Sequence, residues 1–501
     1  MFNNAEFLRN VRVQLTPRRL MFTSGLTLGL IIISELLIWT ATAKTEYSPV
    51  GYDRWAEFGI ASFNLLFFAQ IILLTAMAPS VVGGSVVQER LRNTLVFQQM
   101  TLLSSHEVLL GKMFGSTIVY YVLAALIMPF AILGGLVARI PIDSLVGIYL
   151  VLLVGALSWQ AVSLFISSSI VNAQEAAGRN LAGLSYSIGG LAVFFMMIFF
   201  NIFWRHNWEM QQGNTYFFGQ PILALTFAVM VVSFIGVWAY IGAVRAFKDL
   251  QLIRLSPRTV WYFFIALEVI LVGWFWGGTI SSEGYADVSQ EYFKRNIGAL
   301  FVAYLFINWI FLAALAGISV ISRNQLREWW SGSLDAISLL KRSEIKNSII
   351  NFPISIAIVL AGSIALWGSM YVGLPGRENL LLPFSSLIAM MIAFIVTMLS
   401  MASFIQFCAM YRFRVANRAG LVLWIMLMVI AAIATGVLGP ESVPGLFNPM
   451  VFSVLLIEKS EKALSTISVG LLVEIIFALL SIGMMYWKWR RTRDEMLKDK
   501  D

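Results

Sequence analysis

The sequence predicts an all-α polytopic membrane protein of about twelve transmembrane helices, built as two parallel six-helix repeats with both termini cytoplasmic. Three observations predict it. The 501 residues are 59% hydrophobic and 12% charged, with a mean hydropathy of +0.80, whereas soluble chains run about 45–50% apolar and about 25% charged. Twelve stretches free of Lys and Arg are each long enough, at roughly 20 residues per crossing, to span a bilayer. Segments of the two halves also align at a common shift.

The expected spans are 20–40, 58–82, 113–137, 144–171, 181–203, 221–243, 259–280, 297–321, 348–372, 381–407, 420–438 and 464–487. With the N-terminus in the cytoplasm, 26 of the 35 Lys and Arg fall in inner segments and 9 in outer ones. That asymmetry is the positive-inside pattern, so the net charge of +8 orients the chain toward anionic lipid head groups and does not point to nucleic acid. What remains between spans is too short for a separate enzyme core, which excludes nucleotide hydrolysis or redox chemistry in an appended domain.

Near the N-terminus, Phe7, Leu8, Val11 and Leu15 recur at helical spacing with Arg9 and Arg12 between them, and Pro17 ends the run. This pattern predicts an amphipathic helix on the inner leaflet. The first span follows Arg18-Arg19 and precedes Ala41-Thr42-Ala43, which mimics a signal peptide. Its apolar run exceeds a signal core and reads as an uncleaved span. Cys408 is the single cysteine, which leaves no internal disulfide, and reads as a small buried hydrophobe.

Leu102-Leu103-Ser104-Ser105-His106-Glu107-Val108 aligns with Leu339-Leu340-Lys341-Arg342-Ser343-Glu344-Ile345 at a shift of 237, and Ala182-Gly183-Leu184 with Ala419-Gly420-Leu421. Leu15-Thr16-Pro17-Arg18 meets Leu255-Ser256-Pro257-Arg258 at 240. Six crossings return the chain to its starting side, so the halves are parallel repeats, 1–243 and 244–501, meeting near the basic stretch 244–256.

Between spans two and three, residues 88–112 mix charge with apolar side chains and hold no Pro. A plain connector would be shorter and more polar. Ser104 or Ser105 is the expected N-cap of a helix beginning near His106, and Glu107 suits its first turn. Leu91, Leu95, Phe97 and Met100 give this segment an apolar surface suited to a partner.

Here the residues resemble a family signature. Glu89-Arg90-x-x-Asn93-Thr94-Leu95, Leu102-Leu103-Ser104-Ser105 and Leu110-Gly111-Lys112 resemble the E-R-x-x-G-T-L … L-x-x-(S/T)-P-(L/V)-S … E-(I/L)-x-x-G-K signature of ABC-2 type permeases, the membrane subunits of ATP-binding-cassette exporters. Asn448-Pro449 and Gln220-Pro221 resemble the N-P that follows the fifth helix of that family. Asn93 stands where the family usually has Gly, and the second copy, Leu326-Arg327-Glu328-Trp329-Trp330-Ser331, keeps only the Leu-Leu…Glu-Ile part.

The resemblance implies two fused permease halves, with coupling loops at 83–112 and 322–347, in the cytoplasmic (inner) membrane. It implies docking contacts at Glu89, Arg90, Leu91, Thr94, Leu95, Phe97 and Glu107 in the first loop, and at Arg327, Glu328 and Glu344 in the second. The chain has no Gly-x-x-x-x-Gly-Lys-Ser/Thr, since its one Gly-Lys is followed by Met113. The implied cofactors, ATP and Mg, therefore belong to a separate ATP-binding-cassette ATPase partner, in two copies, and the chain itself is not an enzyme. Short outer loops and Phe-, Met- and Leu-rich spans favour an amphipathic, lipid-like or peptide cargo.

Three acids fall within the expected spans, Glu35, Glu268 and Glu474. Ionisable groups in lipid face a partner or a water-filled path; Glu35, near its helix end, also suits snorkelling. His106 and His206 are too few for a metal cluster. Gly83-Gly84, Gly134-Gly135 and Gly189-Gly190 permit close helix approach. Two other readings stay open: a proton-coupled secondary transporter of major facilitator type, which lacks here its Gly-x-x-x-Asp-Arg loop, and a non-transporting membrane scaffold or intramembrane enzyme.

Overall fold

The computed structural model describes residues 4–43, 53–92, 103–168, 214–218, 220–248, 257–280, 304–305, 307–312, 315–316, 343–373, 384–409, 472, 475–476, 478–491 and 494. The expected spans 181–203 and 420–438, the loop residues 93–102 and 322–342, and Glu474 lie outside them. The described residues are mostly helical (92%). Among them, eight helices are long and apolar enough to cross a membrane: Pro17–Ala41, Arg54–Glu89, Ile118–Val137, Ile142–Ser168, Leu225–Phe247, Arg258–Trp276, Asn351–Ser369 and Met390–Phe407. The chain is a multi-pass membrane protein. It divides into two compact units, Met1–Thr215 with Ile222–Arg254, and Tyr216–Pro221 with Leu255–Asp501.

In the first unit, Asn4 caps α1 (Ala5–Gln14), its Oδ1 accepting from the N–H groups of Glu6 (2.9 Å) and Phe7 (3.2 Å). Pro17 opens α2 (Pro17–Ala41), a position where its missing N–H costs nothing. Among the residues of α2, Ile31 alone is buried, while Phe22, Leu26, Leu30, Ile33 and Leu37 are exposed within the unit. Asp53 caps α3 (Arg54–Ile71) by accepting from Trp55 and Ala56. The Arg54 guanidinium lies 3.7 Å from the Trp39 ring centre and donates to the Trp39 carbonyl at 2.8 Å, which fastens the end of α2 to the start of α3.

Helix α3 continues through a π-helical turn, Ile72–Met77, into α4 (Ala78–Leu91). Pro79 has no N–H to answer the Thr75 carbonyl, so the ladder cannot keep its α register there and widens. Then come α5 (Ser105–Gly115), α6 (Ile118–Val137), α7 (Ile142–Ser168) and α8 (Ala224–Lys248).

Two expectations are corrected. The third span was expected to begin at 113, but the helix breaks at Ser116-Thr117. The Ser116 and Thr117 hydroxyls donate to the carbonyls of Lys112 and Met113, competing with the backbone ladder. The sixth span was expected from 221, but β1 (Asn214–Phe217) and β2 (Gln220–Leu223) pair as a short hairpin and the span starts at Leu225. Pro221 cannot donate to a helical ladder and is tolerated on a strand of a two-stranded pair, where every strand is an edge.

Between helices in lipid, close packing and hydrogen bonds replace the hydrophobic drive. At Gly59 a side-chain carbon would lie 2.6 Å from the Ala138 nitrogen and 2.7 Å from the Gly134 carbonyl oxygen, so α3 and α6 touch backbone to backbone. Phe63 stacks on Phe67, with ring centres 5.4 Å apart, beside them. Gln70 joins three helices: its Nε2 donates to the Ala124 carbonyl (2.9 Å) and its Oε1 accepts from the Tyr149 hydroxyl (3.0 Å).

The second unit contains α9 (Pro257–Ile280), helical residues at 304–305 and 307–312, α10 (Ser343–Gly373), α11 (Phe384–Ala409) and helical residues 478–491. Helix α11 buries Met390, Phe394, Met398, Met401 and Ile405, steps of three and four that define one face. The Phe218 N–H donates to the Gly273 carbonyl of α9 at 2.9 Å.

The packing at Gly59 has a measurable consequence. Gly59→Leu forces α3 from α6 and lowers unfolding stability by about 1–3 kcal/mol, read as a fall in thermal midpoint in detergent, whereas Leu26→Ala on the exposed face of α2 leaves the midpoint within error.

Candidate functional site: the α1–α4–α5 ion cluster

The segment that carries the family resemblance ends in α5, and its start is built as the sequence suggests. Ser104 is the N-cap. The Ser104 N–H and hydroxyl each donate to Glu107 Oε2 at 2.8 Å, and the Glu107 N–H donates back to the Ser104 oxygen at 3.3 Å, a reciprocal capping box. Donation from the Ser104 backbone, then from its hydroxyl, holds the Glu107 carboxyl below the usual carboxylate range. One face of α5 is core: Val108, Leu109 and Met113 pack with Val82 and Val86 of α4, Leu164 of α7 and Phe247 of α8.

The other face receives α1, and the residue spacing explains why it can. Gly111 and Gly115 lie one turn apart, and a side-chain carbon on either would come 2.9 Å from the Cβ of Glu6 or Asn10 respectively. With hydrogens in those places α1 settles directly on α5. The Asn4 amide also donates to the Glu107 carbonyl across the junction.

Lys112 lies between these contacts and is 1% exposed. Its ammonium donates to Glu6 Oε1 at 3.2 Å and to Glu89 Oε2. Arg9 closes the ring, with Nη2 2.7 Å from Glu6 Oε1 and 3.1 Å from Glu89 Oε1. Asn10 adds a third donor, to Glu6 Oε1 at 3.1 Å. Two acids and two bases make a neutral cluster, which is what burial demands, because removing one partner strands the other charges out of water. The amphipathic helix expected on the membrane surface thus turns its polar Glu6 and Asn10 onto α5, while Leu8 and Val13 stay exposed.

Of the expected docking residues, Glu89 and Glu107 are placed with their side chains: Glu89 is committed inside the cluster, and Glu107 sits exposed on the cap. Arg90 and Leu91 belong to α4, and Glu344 to α10, by backbone alone. Thr94, Leu95, Phe97, Arg327 and Glu328 lie outside the described residues. Besides Leu8 and Val13, the exposed residues of α1, the end of α4 and the start of α5 include Arg9, Gln88, Arg92, His106 and Glu107, of mixed charge. His106 Nδ1 is 3.2 Å from the Tyr240 hydroxyl of α8. Among the described residues no His, Cys, Asp and Glu group could hold a metal ion.

Of the intramembrane acids, Glu35 is half-buried and accepts from the Ser62 hydroxyl at 2.6 Å. Glu268 is 5% exposed and accepts from the Tyr304 hydroxyl. Glu6, Gln70, Gln160, Tyr304 and Asn308 were not singled out from the sequence as polar groups within the fold. A lone amide inside an apolar span was the available signal for Gln70, Gln160 and Asn308.

Fold and site together define a helical multi-pass membrane protein with an ion-paired helical platform at one end of its first unit. No family model, curated protein or solved structure matches the chain. The roles of these residues therefore rest on their geometry.

Lys112→Met leaves two carboxylates without their buried cation and costs about 3–5 kcal/mol; hydrogen exchange over residues 5–14 is expected to rise to that of a detached helix. The capping box has a pH signature. Glu107 is lowered in the folded chain, so its contribution is fully present above the ordinary glutamate value of about 4.3. It is lost as pH falls through the lower folded value. Amide exchange in the first turn of α5 is expected to accelerate in that acid window, and Glu107→Gln to flatten the dependence.

Proposed function

We propose that the chain is the transmembrane permease subunit of an ATP-binding-cassette exporter of ABC-2 type, two six-helix halves fused in one polypeptide. In this reading both termini lie in the cytoplasm and the chain sits in the cytoplasmic membrane. It moves an amphipathic, lipid-like or peptide substrate, driven by ATP hydrolysis in a separate ATPase subunit, in two copies, docked on residues 83–112 and 322–347. The chain supplies no nucleotide site of its own.

The observation that carries this reading is the Lys112 cluster. Glu89 and Gly111-Lys112, the most recognisable parts of the resemblance, are far apart in sequence, yet Lys112 pairs with Glu89 and Gly111 seats α1. Lys112, in the last turn of α5, ties that helix to α4 through Glu89 and to α1 through Glu6. A coupling element needs such ties between helices if closure of two ATPase subunits is to move them. One observation favours the alternative, a proton-coupled carrier: the buried carboxyl of Glu268 in α9.

The test is co-expression of the full chain with the ATP-binding-cassette protein encoded beside it. The expected result is a co-purifying complex with vanadate-sensitive ATPase activity. Arg90→Glu combined with Phe97→Asp, which leaves Glu6, Arg9, Glu89 and Lys112 unsubstituted, is expected to weaken attachment at least ~10-fold, about 1.4 kcal/mol, with normal membrane insertion. Failure of every such ATPase to bind a well-inserted chain overturns the reading.

A further inference from the structure

Within the second unit, α9, the helical residues at 304–305 and 307–312, and α10 enclose a polar cell. Glu268 lies 11 residues after Pro257, about 16 Å along α9, at mid-span. Its Oε2 accepts from the Tyr304 hydroxyl, whose oxygen is also 3.3 Å from the Val359 carbonyl of α10. The Ser363 hydroxyl donates to that same carbonyl at 2.9 Å. Gly362 leaves room for the carboxyl: a side-chain carbon there would lie 1.9 Å from Oε2 and 2.7 Å from the Tyr304 oxygen.

Three buried polar atoms in this cell have no hydrogen-bond partner: Glu268 Oε1 and both the Oδ1 and Nδ2 of Asn308. Asn308 is one helical turn after Tyr304, fully buried, and within reach of both Tyr304 and Glu268. The titratable side chains on the packed elements are Arg258 and Tyr262 on α9, Tyr304, and Glu344, Lys346 and Tyr371 on α10. All but Tyr304 lie at least six residues, about 9 Å, along their helices from Glu268 or Gly362, so no described cation stands opposite this carboxyl.

A bare carboxylate with one donor in so apolar a setting is expensive, and such groups are found paired or neutralised. A divalent metal ion would want six or more oxygens, and the cell leaves two unused, Glu268 Oε1 and Asn308 Oδ1. A proton needs one acceptor, and Asn308 Oδ1 is free to be it. We propose that Glu268 is an intramembrane proton-binding site, taking up a proton from water on Oε1, directed at Asn308 Oδ1, and releasing it again. An O–H bond of a hydronium ion breaks, leaving water, as one forms on Oε1; the carboxyl charge passes from minus one to zero, and release reverses each change. The site holds whether or not an ATPase docks on the first unit.

The experiment is infrared spectroscopy of the purified full chain in lipid nanodiscs. A carbonyl-stretch band of a protonated carboxylic acid is expected near neutral pH, shifting in D2O, bleaching reversibly as pH is raised, and absent from Glu268→Gln. Asn308→Leu and Tyr304→Phe, each removing one hydrogen-bond partner, are expected to move the band to higher frequency. The same spectrum from Glu268→Gln as from the parent chain overturns the proposal, as does a band that neither exchanges in D2O nor bleaches at alkaline pH. If Glu268→Gln does not fold, an unmoved band in folded Tyr304→Phe and Asn308→Leu overturns it equally.

Discussion

A lysine ammonium almost completely removed from water fixes the architecture of the first unit's polar end. An isolated buried cation is costly, so its position dictates where acids must be. Glu89 ends the long second crossing, Glu6 begins the first helix of the chain, and both reach Lys112. Two glycines on the same helix let α1 come close enough for that pairing. The short N-terminal helix is thereby a structural part of the loop between the second and third crossings, and its apolar Leu8 and Val13 are left facing outward.

The rest of the unit obeys the same rule in milder form. Where lipid offers no hydrogen bonds, each polar side chain within a span must find a protein partner or be costly. Gln70 finds a carbonyl and a tyrosine, Gln160 finds the Tyr121 hydroxyl, and Glu35 finds Ser62. In the second unit the cell around Glu268 keeps the tyrosine partner but leaves Asn308 unanswered. The first unit also holds buried polar atoms without a partner, Asn64 Oδ1 and Gln160 Oε1 among them.

Crossings were the easiest feature to read, because length and apolarity set them: the eight spans seen each meet an expected one. Their ends were harder. The break at Ser116-Thr117 depends on hydroxyls bonding back to carbonyls, and the strand at Pro221 on a partner strand, neither of which alters hydropathy. The cap at Ser104 with Glu107 was legible because capping is local, with donor and acceptor three residues apart. The burial of Glu6 and Lys112 was not, since an isolated charge near a span end reads as a solvated one.

By itself, then, the sequence determined that the chain is a helical membrane protein, roughly where its helices cross, and where one of them is capped, because bilayer thickness and backbone capping act over short stretches of chain. Only the tertiary structure decided which charges are internal. Glu6 and Lys112 are separated by 106 residues, and Glu268 and Tyr304 by 36, and the energy of such pairs depends on distance in space and on the exclusion of water, neither of which is written in sequence order.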